Sequence, residues 1–227
     1  MNFELSAELK FSQPFHLGTG LSQPGVADRT IGLDKEGQPV LRGDAVKGAI
    51  RSSAERLVRW LLTPKQAGEE LEEQDDHSLP PAGSLDRIFR GGASETAAFY
   101  RFDAAKFLGG GQLQQIASTR IDPKTGVAAN QTLRILQSWT PGARFRISIR
   151  GFQGNWDQPT HADYFDLTLL VAALVCTGSL GGRKGSGHGA LQLSSLQAGT
   201  LPLPLPDNAA HIEALQRFLQ NEVAQHA

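Results

Sequence analysis

Apolar and polar residues alternate with a period of two in three separate stretches of the chain. These stretches are residues 3–11, residues 144–150 and residues 190–196. Such alternation is typical of β-strands that bury one face and expose the other. We predict a strand at each of these places and a further strand at residues 97–107.

Two other stretches carry apolar residues at helical spacing. The first follows Asp44, a residue type that caps helices, and continues through Leu57 and Leu61. The second covers residues 163–176. The predicted core order is β-α-β-β-α-β, the order of the ferredoxin-like, or RRM-like, fold, in which two helices cover one face of a four-stranded antiparallel sheet. The sequence therefore predicts an α+β protein of this class.

Segments rich in polar residues, glycine or proline interrupt this core. Residues 64–85 are acidic and contain proline and glycine, which predicts a mobile surface loop. Residues 109–141 form a polar insertion between two predicted strands. Residues 201–227 begin with alternating leucine and proline, which predicts an extended linker before a short C-terminal helix. We interpret residues 1–227 as a single domain with these additions.

The charge balance restricts where a nucleic acid could bind. The formal net charge is −1, so the chain as a whole has no electrostatic attraction for RNA. Any RNA site must be a local basic patch. Hydrophobic residues make up 40% of the chain and charged residues 20%, which suits a packed core and excludes wholesale disorder.

Cys176 is the single cysteine, which excludes a disulfide framework within the chain and a zinc site built from cysteine pairs. It favours a reducing, cytoplasmic location. The first residues include charges and form no apolar block, so we expect neither a signal peptide nor a membrane anchor. The longest apolar stretch, residues 167–176, is too short to span a bilayer.

A glycine-rich loop at residues 178–189 is the first candidate for chemistry. It contains six glycines and the adjacent cations Arg183 and Lys184, between a helix and a strand. Glycine has no Cβ, and its N–H groups are free to donate, so such a loop can approach a phosphate backbone closely. The spacing does not fit a P-loop. A flexible helix exit is the alternative interpretation.

The start of the first predicted helix is the second candidate. Lys47 and Arg51 lie one turn apart on one face, close to a helix N-terminus, an arrangement that favours phosphate. An ordinary amphipathic helix with solvated cations is the alternative. That alternative must also explain Gly48, because glycine inside a helix costs about 1 kcal/mol.

Four segments together resemble the repeat-associated mysterious protein (RAMP) superfamily, and in particular the backbone subunits of type III CRISPR effector complexes. Residues 15–18 (FHLG) are similar to the family's His-containing turn after the first strand. Residues 41–51 are similar to its helix start, although Asp44 and Ala45 replace the usual serines. Residues 120–128 (RIDPKTGVA) are close to its Ile-Asp segment, and residues 181–189 to its glycine loop.

The resemblance implies how RNA is bound. The insertion at residues 109–141 would contain a protruding hairpin, the thumb, at residues 118–136, which wedges into the guide–target duplex and displaces a nucleotide at intervals. The implied RNA-binding residues are Lys47, Gly48, Arg51, Arg120, Gly181, Gly182, Arg183, Lys184, Gly185 and Gly187.

The resemblance also implies a place for catalysis. Relatives carry an aspartate for metal-dependent cleavage of target RNA on the loop after the first strand, and Asp28 falls at the matching place. Its carboxylate would hold Mg²⁺ or position a 2′-hydroxyl for in-line attack. Asp34 is a rival in the same loop. His16 is a candidate acid or base, and His188 is another histidine to consider, although a lone histidine is more often structural.

Three functions stay open at this point. The first is a CRISPR RNA-binding backbone subunit that also cleaves target RNA, with guide RNA, target RNA, sister subunits and other effector-complex proteins as partners. The second is a non-catalytic structural or capping subunit of such a complex, which the replacement of the family's Pro-Val by Arg29-Thr30 favours. The third is a stand-alone guide-processing endoribonuclease that needs no metal.

Overall fold

A computed structural model describes residues 3–62, 83–89, 100–151, 161–198 and 201–202. Within these residues the elements are β1 Phe3–Phe11, α1 Gly43–Leu62, α2 Gly83–Phe89, β2 Tyr100–Phe102, β3 Lys106–Gly109, β4 Leu113–Ser118, β5 Arg134–Trp139, β6 Arg144–Gly151, α3 His161–Val175, β7 Leu191–Ala198 and β8 Leu201–Pro202, with one 3-10 turn at Lys184–Ser186.

The main sheet is antiparallel, with strand order β2-β6-β1-β7-β8, and β3 also pairs with β6. Residues Leu5, Ala7 and Leu9 of β1 lie opposite Ile149, Ile147 and Phe145 of β6, and all six side chains are buried. They share one hydrophobic core with apolar residues of α1, α2 and α3. The helices therefore cover one face of this sheet, and the other face carries the polar residues of the alternation.

The second sheet is a hairpin of β4 and β5, inserted between β3 and β6. Trp139, at the end of β5, joins it to the core. The backbone of Trp139 exchanges hydrogen bonds of 2.9 and 3.0 Å with Phe15, and its indole N–H donates to the carbonyl of Gly110 at 2.9 Å. The base of the hairpin is therefore fixed while its distal part extends away.

The strands predicted at 3–11, 144–150 and 190–196 are confirmed, and so are the two predicted helices. The single strand predicted at 97–107 is wrong, because β2 and β3 are separate strands. Between the two strands, the carboxylate of Asp103 forms ion pairs with Arg101 and Arg150. The N–H of Ala105 donates a hydrogen bond to the carbonyl of Leu41, which lies outside the main sheet. Residues 97–99 lie outside the described residues.

The loop predicted at 64–85 is wrong at its end, since Gly83–Phe89 form α2. Ile88 of α2 is fully buried in the core, which accounts for a short helix in a polar stretch. Residues 64–82 lie outside the described residues. Of the predicted linker and C-terminal helix at 201–227, only Leu201–Pro202 is described, and this pair forms β8 against β7. No helix in the described ranges is long and apolar enough to cross a membrane.

Candidate nucleic-acid interface

The glycine-rich loop has a defined conformation. Its ends are joined by backbone hydrogen bonds from Leu180 to Gly189 and from Leu191 to Gly178, at 2.9 and 3.0 Å. A Cβ at Gly189 would lie 2.1 Å from the carbonyl oxygen of Leu180, at a φ of +75°. Only glycine fits there, so this glycine closes the loop and does not simply make it flexible.

The tip of this loop presents backbone donors. Arg183 has left-handed dihedrals (φ 59°, ψ 32°), and Lys184 begins a 3-10 turn. Alternation of left-handed and right-handed residues turns successive N–H groups to one side, as in anion-binding nests. The N–H groups of Arg183, Lys184 and Gly185 donate to no acceptor within the described part of the chain, and all three residues are exposed. The tip of the loop therefore combines two cationic side chains with three backbone donors that have no acceptor within the described residues.

His16 lies directly beneath the loop. Its side chain is 6% exposed, its Nδ1 is 2.7 Å from the carbonyl oxygen of Gln137, and its own carbonyl accepts a hydrogen bond from Gly182 at 2.9 Å. A carbonyl only accepts, so Nδ1 carries the proton and donates. His16 thus connects the glycine loop to β5, which is a positioning function. Its predicted part in acid or base catalysis stays a prediction.

Asp28 is held by the same strand. Its Oδ2 accepts the N–H of Ile135 at 2.6 Å, and its own N–H donates to the carbonyl of Ile135 at 2.9 Å. The next residue, Arg29, accepts from the N–H of Gln137 at 2.9 Å. Asp28 is exposed, and its second carboxylate oxygen has no hydrogen bond within the described residues. One oxygen therefore fixes the side chain and the other faces solvent.

Asp34, the rival aspartate, is occupied by a turn. Its Oδ1 accepts the N–H groups of Glu36 and Gln38 at 3.0 and 2.7 Å, and Gly37 adopts a φ of +74°. These bonds are typical of an aspartate that stabilises a turn. Asp28, which lies beside the hairpin, is the better placed of the two carboxylates.

The distal hairpin exposes both charge and apolar surface. Arg120 is exposed, and its backbone bonds Ala129 and Thr132 across the hairpin. Ile121, Val127 and Leu133 are 54%, 62% and 66% exposed. Exposed apolar side chains on a hairpin are available for contact with another molecule.

The start of α1 is packed closely against β2. A Cβ at Gly43 would lie 2.2 Å from the carbonyl oxygen of Phe102, so glycine allows the close approach. Gly48 has open space around it, and Lys47 is half-buried. Arg51 is exposed but forms an ion pair with Glu55, with 2.6 Å between Nε and Oε1. The sequence alone did not predict this ion pair. The guanidinium of Arg51 is therefore engaged within its own helix.

The site has a single carboxylate where a metal would bind. Within the described residues no group of three His, Cys, Asp or Glu side chains could hold a metal ion. Mg²⁺ is often bound by one or two carboxylates together with substrate phosphates, so the free oxygen of Asp28 fits one ligand position and RNA would supply others. Burial raises the pKa of the Cys176 thiol, and Arg56 lowers it less, which makes Cys176 a poor nucleophile.

The structure brings part of the predicted set together. Hydrogen bonds lead from Gly182 to His16, from His16 to Gln137, and along β5 to Asp28. Within the described residues Lys47 and Arg51 form no hydrogen bond or ion pair with this assembly, and Arg51 pairs with Glu55 in its own helix. Arg120 lies further along the hairpin. Sequence reasoning missed Ile135 and Gln137, because both act through backbone atoms that any residue type provides.

Solved structures include chains whose fold is similar to that of this protein. A chain in a solved structure described as "Cryo-EM structure of the Type III-B Cmr-beta bound to cognate target RNA" matches with a TM-score of 0.54 and 16% identity, over 87% of this chain. The match spans 60% of the length of that chain, and it shows similarity of fold. A comparison with curated protein sequences finds no match.

The model of one protein family, described as the RAMP superfamily, matches residues 8–192. The match includes the helix start, the hairpin and the glycine loop described above. The chain belongs to the RAMP superfamily.

Proposed function

We propose that this protein is a guide-RNA-binding backbone subunit of a type III CRISPR effector complex, with Asp28 cleaving target RNA. The observation that carries the proposal is the continuous assembly of glycine loop, His16, β5 and Asp28 at the base of an exposed hairpin. Family membership and the fold shared with a chain of a type III-B complex support it.

The proposal includes a ferredoxin-like core. Its four strands would be β1, β2, β6 and β7, and its two helices α1 and α3. The observed strand order β2-β6-β1-β7, with α1 after β1 and α3 between β6 and β7, supports this assignment. The α2 helix, β3, the β4–β5 hairpin and β8 would then be additions to the core.

Guide RNA would be gripped through its phosphates. The N–H groups of Arg183, Lys184 and Gly185 would donate to phosphate oxygens, and the side chains of Lys47 and Arg51 would neutralise neighbouring phosphates. Contacts to phosphates are shared by all sequences, so binding would have low sequence preference. The hairpin with Arg120 and its exposed apolar residues would separate bases of the duplex.

Cleavage would use the geometry that β5 imposes on Asp28. The free carboxylate oxygen would orient the 2′-hydroxyl of a displaced target nucleotide, so that the 2′-oxygen attacks the adjacent phosphorus. The 2′-hydroxyl would pass its proton to this carboxylate oxygen, and the bond from phosphorus to the 5′-oxygen would break. The 5′-oxygen would take up a proton from solvent water, leaving a 2′,3′-cyclic phosphate and a 5′-hydroxyl. A bound Mg²⁺ would neutralise charge on the phosphate. Imposed geometry can replace a strong base.

A non-catalytic structural subunit is the second candidate. It is favoured by the single carboxylate at the site and by the hydrogen bond that occupies one of its oxygens. A stand-alone guide-processing nuclease is less well supported, because His16 is buried and its Nδ1 is engaged by Gln137. Target cleavage by Asp28 variants, considered in the Discussion, separates the first two candidates.

Replacing Lys47 and Arg51 together with alanine is expected to weaken single-stranded RNA binding by about tenfold and to reduce the salt slope by about 1 to 2, because two phosphate contacts are lost. Both side chains lie outside the core, so the fold should persist. Fluorescence anisotropy at several salt concentrations measures both quantities.

The matched control for this change is Glu55→Gln. It releases Arg51 from its ion pair, so RNA affinity should rise slightly while the helix stays intact. Equal affinity and equal salt slope in the wild-type chain and the double alanine variant would exclude the α1 cations from the RNA site.

A further inference from the structure

Cations are concentrated on the face of the main sheet that is turned away from the helices. They form three pairs, each made of directly opposed residues in neighbouring strands, and all six side chains are exposed. The pairs are Arg101 with Arg150, Lys106 with Arg146, and Lys10 with Arg144. Directly opposed like charges destabilise a sheet. Anions beside the paired cations offset this repulsion, and on β1 Glu4 lies opposite Arg150 and Glu8 lies opposite Arg146.

Two of the three pairs have a carboxylate from the same sheet region. Asp103 contacts both members of the first pair, with its Oδ1 2.9 Å from Arg101 Nε and its Oδ2 2.7 Å from Arg150 Nη2. Glu8 contacts Arg146, in the second pair, at 2.5 Å. These contacts show that carboxylates fit beside the paired cations of this face.

The third pair, Lys10 with Arg144, differs from the other two. Lys10 and Arg144 have no acidic partner within the described part of the chain. By analogy with the other two pairs, the group that fits here is a carboxylate, and it must come from outside the described residues.

The chain carries complementary charge in its acidic segment. Within positions 69–76, six residues are acidic: Glu69, Glu70, Glu72, Glu73, Asp75 and Asp76. This segment lies between the end of α1 at Leu62 and the start of α2 at Gly83. Both helices pack on the inner face of the main sheet. The two helices that flank the segment in the sequence therefore lie on the side of the sheet opposite to Lys10 and Arg144.

We infer that the sheet face carrying Lys10 and Arg144 binds the acidic segment 69–76 of a second copy of this chain. Because the helices that flank the segment lie on the side of the sheet opposite to this face, each copy would offer its segment to one neighbour and its sheet face to another. Repetition of such a heterologous contact gives an open row of subunits. The inference names a contact between the sister subunits of the proposed function and rests on that part of it.

Sedimentation velocity of the full chain without RNA tests the inference. We expect the wild-type chain to self-associate as concentration rises, and the association to weaken between about 0.1 M and about 0.5 M NaCl because salt screens exposed charges. Arg144→Glu places a carboxylate opposite Lys10 and so satisfies that lysine within the chain. This variant should fold and should self-associate about tenfold more weakly.

Lys35→Glu is the matched control, because it makes the same charge change at an exposed turn on another part of the chain. It should associate like the wild type. A charge exchange identifies the occupant: Glu72→Lys with Glu73→Lys should weaken association, and combining these with Lys10→Glu and Arg144→Glu should restore it. Restoration shows that the two surfaces contact each other.

A wild-type chain that stays monomeric at every concentration, or an Arg144→Glu chain that associates like the wild type, overturns the inference. The same holds if Arg144→Glu associates normally but binds RNA more weakly, because RNA would then occupy the face. Sedimentation is measured without RNA, so it tests only the contact between copies of the chain. Failure to bind guide RNA in a separate binding experiment would contradict the RNA-binding part of the proposed function.

Discussion

Replacing Asp28 with asparagine is expected to lower Mg²⁺-dependent cleavage of target RNA by about 10²- to 10⁴-fold, the range for a group that acts on a proton in the transition state. The amide oxygen of asparagine can still accept the N–H of Ile135, so the hydrogen bond that joins this loop to β5 is kept. What is lost is the negative charge of the free oxygen. Gel analysis of labelled target RNA in the reconstituted complex measures the rate.

The binding of guide and target RNA separates catalysis from structure. A carboxylate that acts on the transition state leaves ground-state affinity nearly unchanged, so Asp28→Asn should bind both RNAs like the wild type. Asp28→Ala should also lose cleavage and should in addition loosen the Ile135 contact. Wild-type cleavage by Asp28→Asn would remove Asp28 from catalysis. A wild-type complex that does not cleave would favour the structural subunit.

Replacing Gly43 with alanine is expected to lower the free energy of unfolding by about 3 kcal/mol, an effect of overpacking against atoms that cannot easily move. The added Cβ would lie 2.2 Å from the carbonyl oxygen of Phe102 and 2.9 Å from that of Asp103. Both are backbone atoms, so α1 or β2 must shift. Chemical denaturation followed by circular dichroism measures the loss.

Gly48→Ala is the control for this change, since it alters the same helix at a position with open space. Without RNA it should raise the free energy of unfolding by about 0.5–1 kcal/mol, because alanine is the better helix former. With RNA it should weaken binding if phosphates approach the helix at this point. Equal losses of stability in both variants would contradict the close packing of Gly43 on β2.

Much of the core was predictable because its signals are local. In β1 and β6 the period-two alternation reflects one buried face, and the cross-strand pairs Leu5–Ile149 and Leu9–Phe145 confirm which residues point inward. The glycine loop was predictable because a chain reversal of this kind requires glycine at Gly189. These features depend on residue type at fixed spacing.

The rest depends on contacts between distant parts of the chain. The division of residues 97–107 follows from Asp103 meeting Arg150, a residue far along the sequence. The placement of Asp28 depends on the backbone of Ile135, 107 residues away, and a backbone partner leaves no mark in the sequence. The ion pair of Arg51 with Glu55 shows that a cation expected to be free can be engaged locally.

Sequencing of RNA that copurifies with the protein shows whether it is a guide-binding backbone subunit. The protein is isolated from cells that carry a CRISPR array, and Lys47→Ala with Arg51→Ala serves as the control. We expect enrichment of guide RNAs that contain repeat-derived sequence, and a smaller yield of them with the variant. RNA of random cellular origin, or none above background, would contradict the assignment as a guide-binding backbone subunit.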